Sequence, residues 1–315
     1  MTYDFFKKSI IRLYISTKKM KLSISGVFPP MLTPFKEDGT LDIESHLFNL
    51  EKWNQTPLSG YLVLGSNSES VYLTENEKLL LVEKTAESMP KDRLLMAGTG
   101  MESTHETISL TQKAAERGAQ AALILTPFYY LGNMSDAALT KHFLKIADEV
   151  DIPILIYNVP KFAHVNVSSG LLASLKDHPN IIGMKDSAGN ISQLIQYQSI
   201  ISSDFSLLVG TAALWYPALT LGINGGVMAL ANILPAECVK VQSLVNEGKW
   251  SEAEKLYRAI FPINHAITAT FGVAGLKYAA DLLGYKGGFV RSPLLPLGEA
   301  QKQTIKELLI KSNFL

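Results

Sequence analysis

The chain has 315 residues, 47% hydrophobic and 18% charged, which supplies a large core and excludes an extended disordered protein. Lys+Arg and Asp+Glu both number 29, so no basic excess points to nucleic acid and no like-charge block to a tail. Cys238 is the one cysteine, which rules out an internal disulfide and a cysteine-built metal site and suits a reducing compartment.

Residues 1–25 stand apart as a basic N-terminal extension, with Asp4 its one acid. Its apolar runs are too short and interrupted for a secretory or membrane-spanning segment. Transit peptides prefer Arg, and here five Lys face one Arg. A cytoplasmic location is expected, the alternative being mitochondrial if residues 1–25 are a transit peptide.

From residue 26 to 315 a single domain is expected. Short apolar runs recur at 26–32, 61–65, 93–98, 121–127, 153–160, 181–186, 205–211 and 225–230. Most are continuously apolar rather than alternating, which suits strands of a parallel sheet buried on both faces. Helical patterns lie between them. Thr74 and Glu77 form a capping-box pattern, as do Ser103 and Glu106, and Gly118 stands where a helix-ending glycine would. Ser135 opens a further helix and Pro153 follows its end. Strand and helix alternate eight times, which predicts a (β/α)₈ TIM barrel, with a doubly wound open sheet as the alternative. The stretch 235–247 reads as the eighth barrel helix, and 252–261, 273–283 and 299–309 as additional C-terminal helices.

In such a barrel the chemistry sits at the carboxyl ends of the strands. Lys185 directly follows the sixth apolar run, at the barrel mouth, where partial desolvation makes an amine available as a nucleophile. Its bland alternative is a strand-end lysine reaching solvent or paired with Asp186. Tyr157 ends the fifth run, one strand away, and can relay protons or simply pack. Ser66 and Asn67 follow the second run in a loop of hydroxyls, amides and backbone N–H groups, a possible cradle for a carboxylate or an ordinary polar loop. Tyr129 and Tyr130 follow the fourth run and can line a pocket or a subunit contact.

Taken together, Gly65-Ser66-Asn67-Ser68-Glu69, Tyr157-Asn158-Val159-Pro160 and Gly183-Met184-Lys185-Asp186 resemble, in order and spacing, the dihydrodipicolinate synthase / N-acetylneuraminate lyase family of Schiff-base aldolases. Leu94–Gly98, residues 126–130, Gly183 to Ser187 and residues 271–277 look closest to 4-hydroxy-2-oxoglutarate aldolases. The resemblance implies that Lys185 forms an imine with pyruvate, that Tyr157 shuttles protons and that Tyr129 extends the relay, in some relatives from an adjacent subunit. It further implies that Ser66 and Asn67 hold the substrate carboxylate, that Ser187 helps set specificity, and that Gly225 and Ala229 line the pocket floor. The implied reaction is retro-aldol cleavage of a 4-hydroxy-2-oxo acid to pyruvate and an aldehyde, without cofactor or metal, in a homo-oligomer. Alternatives are 4-hydroxy-tetrahydrodipicolinate synthesis and cleavage or dehydration of a 2-oxo-3-deoxy sugar acid.

Two positions depart from the family pattern. Dihydrodipicolinate synthases carry an Arg five residues after the motif Tyr, where this chain has Phe162, and a neutral ring cannot replace a bidentate guanidinium. Ser68 stands where the family usually has Gly, so it is expected to bear whatever backbone conformation that Gly adopts. The six histidines are scattered, which speaks against a catalytic metal. A non-catalytic 2-oxo acid sensor is the reading of a different class. It would need no proton relay, so Tyr157, Ser66 and Tyr129 together favour the enzyme.

Overall fold

The computed structural model describes residues 23–315, so all but the last three residues of the basic extension lie outside it. Each apolar run becomes a strand: β1 (Gly26–Phe28), β2 (Gly60–Val63), β3 (Leu94–Gly98), β4 (Ala121–Leu125), β5 (Ile154–Asn158), β6 (Ile181–Asp186), β7 (Ser206–Val209) and β8 (Gly225–Val227). All pairings are parallel, in the order β1-β8-β7-β6-β5-β4-β3-β2. The ring closes between its ends, where Met31 N–H donates to the Leu62 carbonyl at 2.8 Å and Leu62 N–H to that of Pro29 at 3.1 Å. This is the expected TIM barrel.

The strand faces explain the unbroken apolar runs. Phe28, Leu62, Met96, Leu123, Leu155 and Leu208 pack inside the barrel. Their neighbours Val27, Val63, Ala97, Ile124, Ile156 and Val209 pack outward against the helices. With both faces buried, neither can be polar.

The connecting helices are α1 (Ile43–Asn54), α2 (Glu75–Ser88), α3 (Thr104–Glu116), α4 (Asp136–Glu149), the short α5 (Pro160–Ala163), α6 (Ser169–Leu175), α7 (Ile191–Ile200), α8 (Trp215–Thr220) and α9 (Pro235–Asn246). The additional C-terminal helices are α10 (Trp250–His265), α11 (Gly272–Leu282) and α12 (Glu299–Lys311), with a π-helical turn at Ala266–Thr270 between the first two. The capping box of α2 forms as expected, with Thr74 N–H donating to Glu77 Oε2 at 2.8 Å. That of α3 is half made: Glu106 N–H donates to Ser103 Oγ at 3.1 Å, with no return bond from the Glu106 side chain. Among the described residues no helix is long and apolar enough to cross a membrane.

Candidate active site

A one-residue irregularity in the sheet aims Lys185. Along β5 and β6, Ile154 pairs with Ile181, but Leu155 pairs with Gly183, so Ile182 is an extra residue on β6. Without it, side-chain alternation would turn Lys185 outward, toward the helices. With it, Tyr157 stands opposite Lys185 on the inner face and Asn158 opposite Asp186 on the outer face. Gly183 permits the close approach of β7, because a Cβ there would lie 2.4 Å from the Ser206 carbonyl oxygen.

Lys185 is 3% exposed, and its Nζ sits 4.2 Å from the centroid of the Tyr157 ring. The Tyr157 hydroxyl lies 3.4 Å from Ser66 Oγ. Burial alone raises the Tyr157 pKa, but the Lys185 ammonium and the Ser66 hydroxyl oppose that, and the phenol ends below its ordinary value. A phenol so placed gives up its proton more readily than one in water and can take it back from the adjoining amine. Ser187 Oγ is buried beside them, near enough to the Tyr157 hydroxyl to help hold its pKa down, and makes no other hydrogen bond among the described residues. Such an atom is free to receive a ligand's polar group.

On the outer face, Asn158 Nδ2 donates to Asp186 Oδ1 at 2.7 Å, and Asn158 Oδ1 accepts from Val167 N–H at 3.0 Å. This bracket ties the ends of β5 and β6 directly behind Tyr157 and Lys185. Burial raises the Asp186 pKa, against the Asn158 and Ala188 hydrogen bonds. Asp186 therefore braces the strand ends; it does not pair with Lys185.

Ser66 and Asn67 lie in a 3-10 turn, Ser66–Ser68, that leaves β2 at the carboxyl end of the barrel. The turn closes through Ser68 N–H to the Gly65 carbonyl at 3.0 Å. Ser68 carries no left-handed backbone conformation. The left-handed residue is Glu69, at φ +54°, and Ser68 uses its hydroxyl to donate to the Met31 carbonyl at 2.5 Å and to accept from Gly65 N–H at 3.1 Å. Leu64, just before the loop, is also left-handed at φ +61°, a strained geometry of the kind that gathers at functional loops.

The remaining expected residues are not all brought to this cluster. Ala229 follows β8 at the carboxyl end and is buried. Gly225 is the first residue of β8, paired with Gly26 at the opposite, amino-terminal end, so it cannot line the mouth. A Cβ there would meet Leu208 Cδ2 at 2.0 Å, so its smallness serves barrel packing. Tyr129 is 76% exposed, stacked edge-to-face on Tyr130 at 5.1 Å, and contacts within the chain do not join it to Tyr157. Phe162 is 53% exposed on α5, and Lys161 Nζ donates to the Thr268 carbonyl in the π-helical turn at 3.2 Å.

Two further residues escaped the sequence reading. Gly210, just past β7, lies so close that a Cβ would come 1.7 Å from Ser187 Oγ and 3.0 Å from Lys185 Cε. Glu102 accepts from the backbone N–H groups of Phe128 and Tyr129 at 3.1 and 2.9 Å and so fixes the loop that carries the exposed tyrosines. An acid closely following a strand was the only signal for Glu102; nothing in the sequence marks Gly210 among 22 glycines.

The model of the dihydrodipicolinate synthetase family matches residues 23–312. The chain belongs to this family. It is similar to the 4-hydroxy-tetrahydrodipicolinate synthase of Methanothrix thermoacetophila, 34% identical over 291 residues that cover 92% of this chain and 97% of the relative. Among solved structures it is similar to dihydrodipicolinate synthase from Thermotoga maritima, with a TM-score of 0.89 at 27% identity over 93% of this chain and 100% of that one. It is also similar to a prophage protein of the dihydrodipicolinic acid synthase family from E. coli K12 in complex with pyruvate, with a TM-score of 0.87 at 26% identity over 93% and 99% of the two chains. As a family member the chain is a class I carbon–carbon lyase that works through a lysine Schiff base. The expected closeness to 4-hydroxy-2-oxoglutarate aldolases is not supported, since these relatives carry the synthase name. The stretches that suggested it include β3, most of β6 and part of α11.

Proposed function

We propose that this chain joins pyruvate to an aldehyde through an imine on Lys185, in the manner of the 4-hydroxy-tetrahydrodipicolinate synthases it is similar to. The observation that carries the proposal is the buried Lys185 amine set against the Tyr157 ring, with the phenol held beside Ser66. The amine adds to the C2 carbonyl, and loss of water gives the imine. Removal of a C3 proton gives an enamine, whose carbon attacks the aldehyde; water then releases the product and restores the lysine. Tyr157 carries the protons of imine formation and hydrolysis. Ser66 and Asn67 hold the pyruvate carboxylate from their turn, and Ser187 meets the bound substrate with its buried hydroxyl. Tyr129, exposed in the single chain, joins the relay from a second copy in a homo-oligomer.

A second reading, cleavage of a 4-hydroxy-2-oxo acid, is favoured by one position. Phe162 stands where the synthases carry Arg, and Lys161 beside it is engaged with Thr268. Both readings pass through the same pyruvate enamine on Lys185, formed by loss of a C3 proton in condensation and by breaking the C3–C4 bond with release of the aldehyde in cleavage. The deciding experiment compares kcat/KM for aspartate semialdehyde condensation with cleavage of 4-hydroxy-2-oxoglutarate and of a 2-oxo-3-deoxy aldonate. Fastest condensation of the semialdehyde is the expected result. Cleavage faster by a wide margin would replace the first reading with the second.

A further inference from the structure

Both oxygens of the Glu69 carboxylate, the residue that ends the Ser66–Ser68 turn, are held from the far end of the chain. Oε1 meets Lys277 Nζ of α11 at 2.5 Å, with both side chains at most 2% exposed. Oε2 accepts from the backbone N–H of Arg291 at 2.8 Å. Lys277 Nζ also donates to the Phe289 carbonyl at 2.5 Å and lies 4.5 Å from the Phe35 ring centroid. The Arg291 guanidinium in turn grips both oxygens of Glu77 at 2.6 and 2.8 Å and the carbonyls of Gly39 and Tyr72.

Such a pair is costly to bury. Burial pushes the Lys277 pKa down to about 8 even with the Glu69 and Asp281 carboxylates beside it. Replacing buried ion pairs by neutral groups of similar volume often leaves stability unchanged or improves it, so stability alone does not explain this one. What the pair does do is geometric. Glu69 is left-handed at φ +54°, its N–H closes on the Ser66 carbonyl at 3.2 Å, and its carboxylate is tied at one oxygen to Lys277 and at the other to the Arg291 backbone. The backbone of the turn is thereby fixed one residue beyond Ser68, and with it the Ser66 hydroxyl beside Tyr157.

We propose that Glu69 and Lys277 are positioning residues that set the affinity of the Ser66–Asn67 turn for the 2-oxo acid carboxylate; the proposal rests on the function given above. The turn is thus one part of the mouth whose position is set from the C-terminal helices.

The test is trapping of pyruvate on Lys185 by borohydride, measured against pyruvate concentration in the full chain. The variants are Glu69→Gln and the double variant Glu69→Gln with Lys277→Met, which removes both charges and leaves none buried alone. The expected result is a half-saturating pyruvate concentration raised about tenfold or more in both variants, with complete trapping at saturation and kcat within about threefold. A purely structural pair would lower thermal stability in the single variant and leave the half-saturation of the folded protein unchanged. A folded variant with half-saturation within about twofold of the parent overturns the proposal. Should the double variant fail to fold, Glu69→Gln alone decides. A parent chain that traps no pyruvate at any concentration overturns the proposed function instead, a result separate from any difference between parent and variant.

Discussion

In the proposed reaction Tyr157 acts through its hydroxyl, which lies 3.4 Å from Ser66 Oγ on a ring whose centroid is 4.2 Å from Lys185 Nζ. Tyr157→Phe keeps the ring and deletes the proton carrier. The expected outcome is an unchanged fold with kcat lower by about 10²–10⁴-fold, the usual worth of a positioned acid–base group. Turnover within about threefold of the parent would make Tyr157 a packing residue. Gly210 acts by having no side chain. In Gly210→Ala the new Cβ would overlap Ser187 Oγ and crowd Lys185 Cε, so one of them must move. A displacement of about 1 Å costs on the order of 10²-fold in rate. Circular dichroism and kcat/KM on the same preparation check this, and a folded, fully active variant would show that the serine and lysine have slack.

At the level of elements, the strands were legible because burial on both faces leaves a simple mark, a short unbroken apolar run between polar caps. The run at 181–186 matches β6 residue for residue, and the others run one to four residues past their strands at one end or both, that at 61–65 also omitting Gly60. The Ile182 bulge left no such mark. Ile181, Ile182, Gly183 and Met184 are all acceptable on either face, so the sequence alone does not say which way Lys185 points. The pocket-floor place of Gly225 rests on the resemblance alone, and the register puts it instead at the amino end of its strand. The short helix α5 carries the clearest element-level prediction. Phe162→Arg restores a guanidinium where the synthases have one. It is expected to raise kcat/KM for aspartate semialdehyde about tenfold to a hundredfold, since a charge-assisted hydrogen bond contributes about 1.5–3 kcal/mol. No change in the semialdehyde kinetics would mean that the aldehyde's carboxylate is held by a different part of the mouth.

At the scale of the whole molecule, two buried histidines, His46 and His142, are expected to lower its stability in acid. His46 Nε2 is 2.9 Å from Thr85 Oγ1, which already donates to the Leu81 carbonyl, so Nε2 donates there, while Nδ1 is buried without a partner among the described residues and a second proton on it would be unsatisfied. Burial pushes the pKa of His46, and likewise of His142, down to about 4. The unfolded chain, with ordinary values near 6.5, therefore binds more protons across that window. Their contribution to stability is present in full above pH 6.5 and is lost as the pH falls toward 4. Urea midpoints at pH 7.5 and 5.0 measure it; the lower pH is expected to unfold the chain at less urea, and equal midpoints would show that both rings accept a proton in the fold. The central claim is that the barrel, its bulge and the end of β6 exist to present one amine to a 2-oxo acid. Incubation with pyruvate and borohydride, followed by mass analysis of peptides, tests it most directly. The expected product is a reduced pyruvyl adduct on the peptide that contains Lys185, absent in Lys185→Ala. An adduct on another lysine, or labelling that persists in Lys185→Ala, would contradict it.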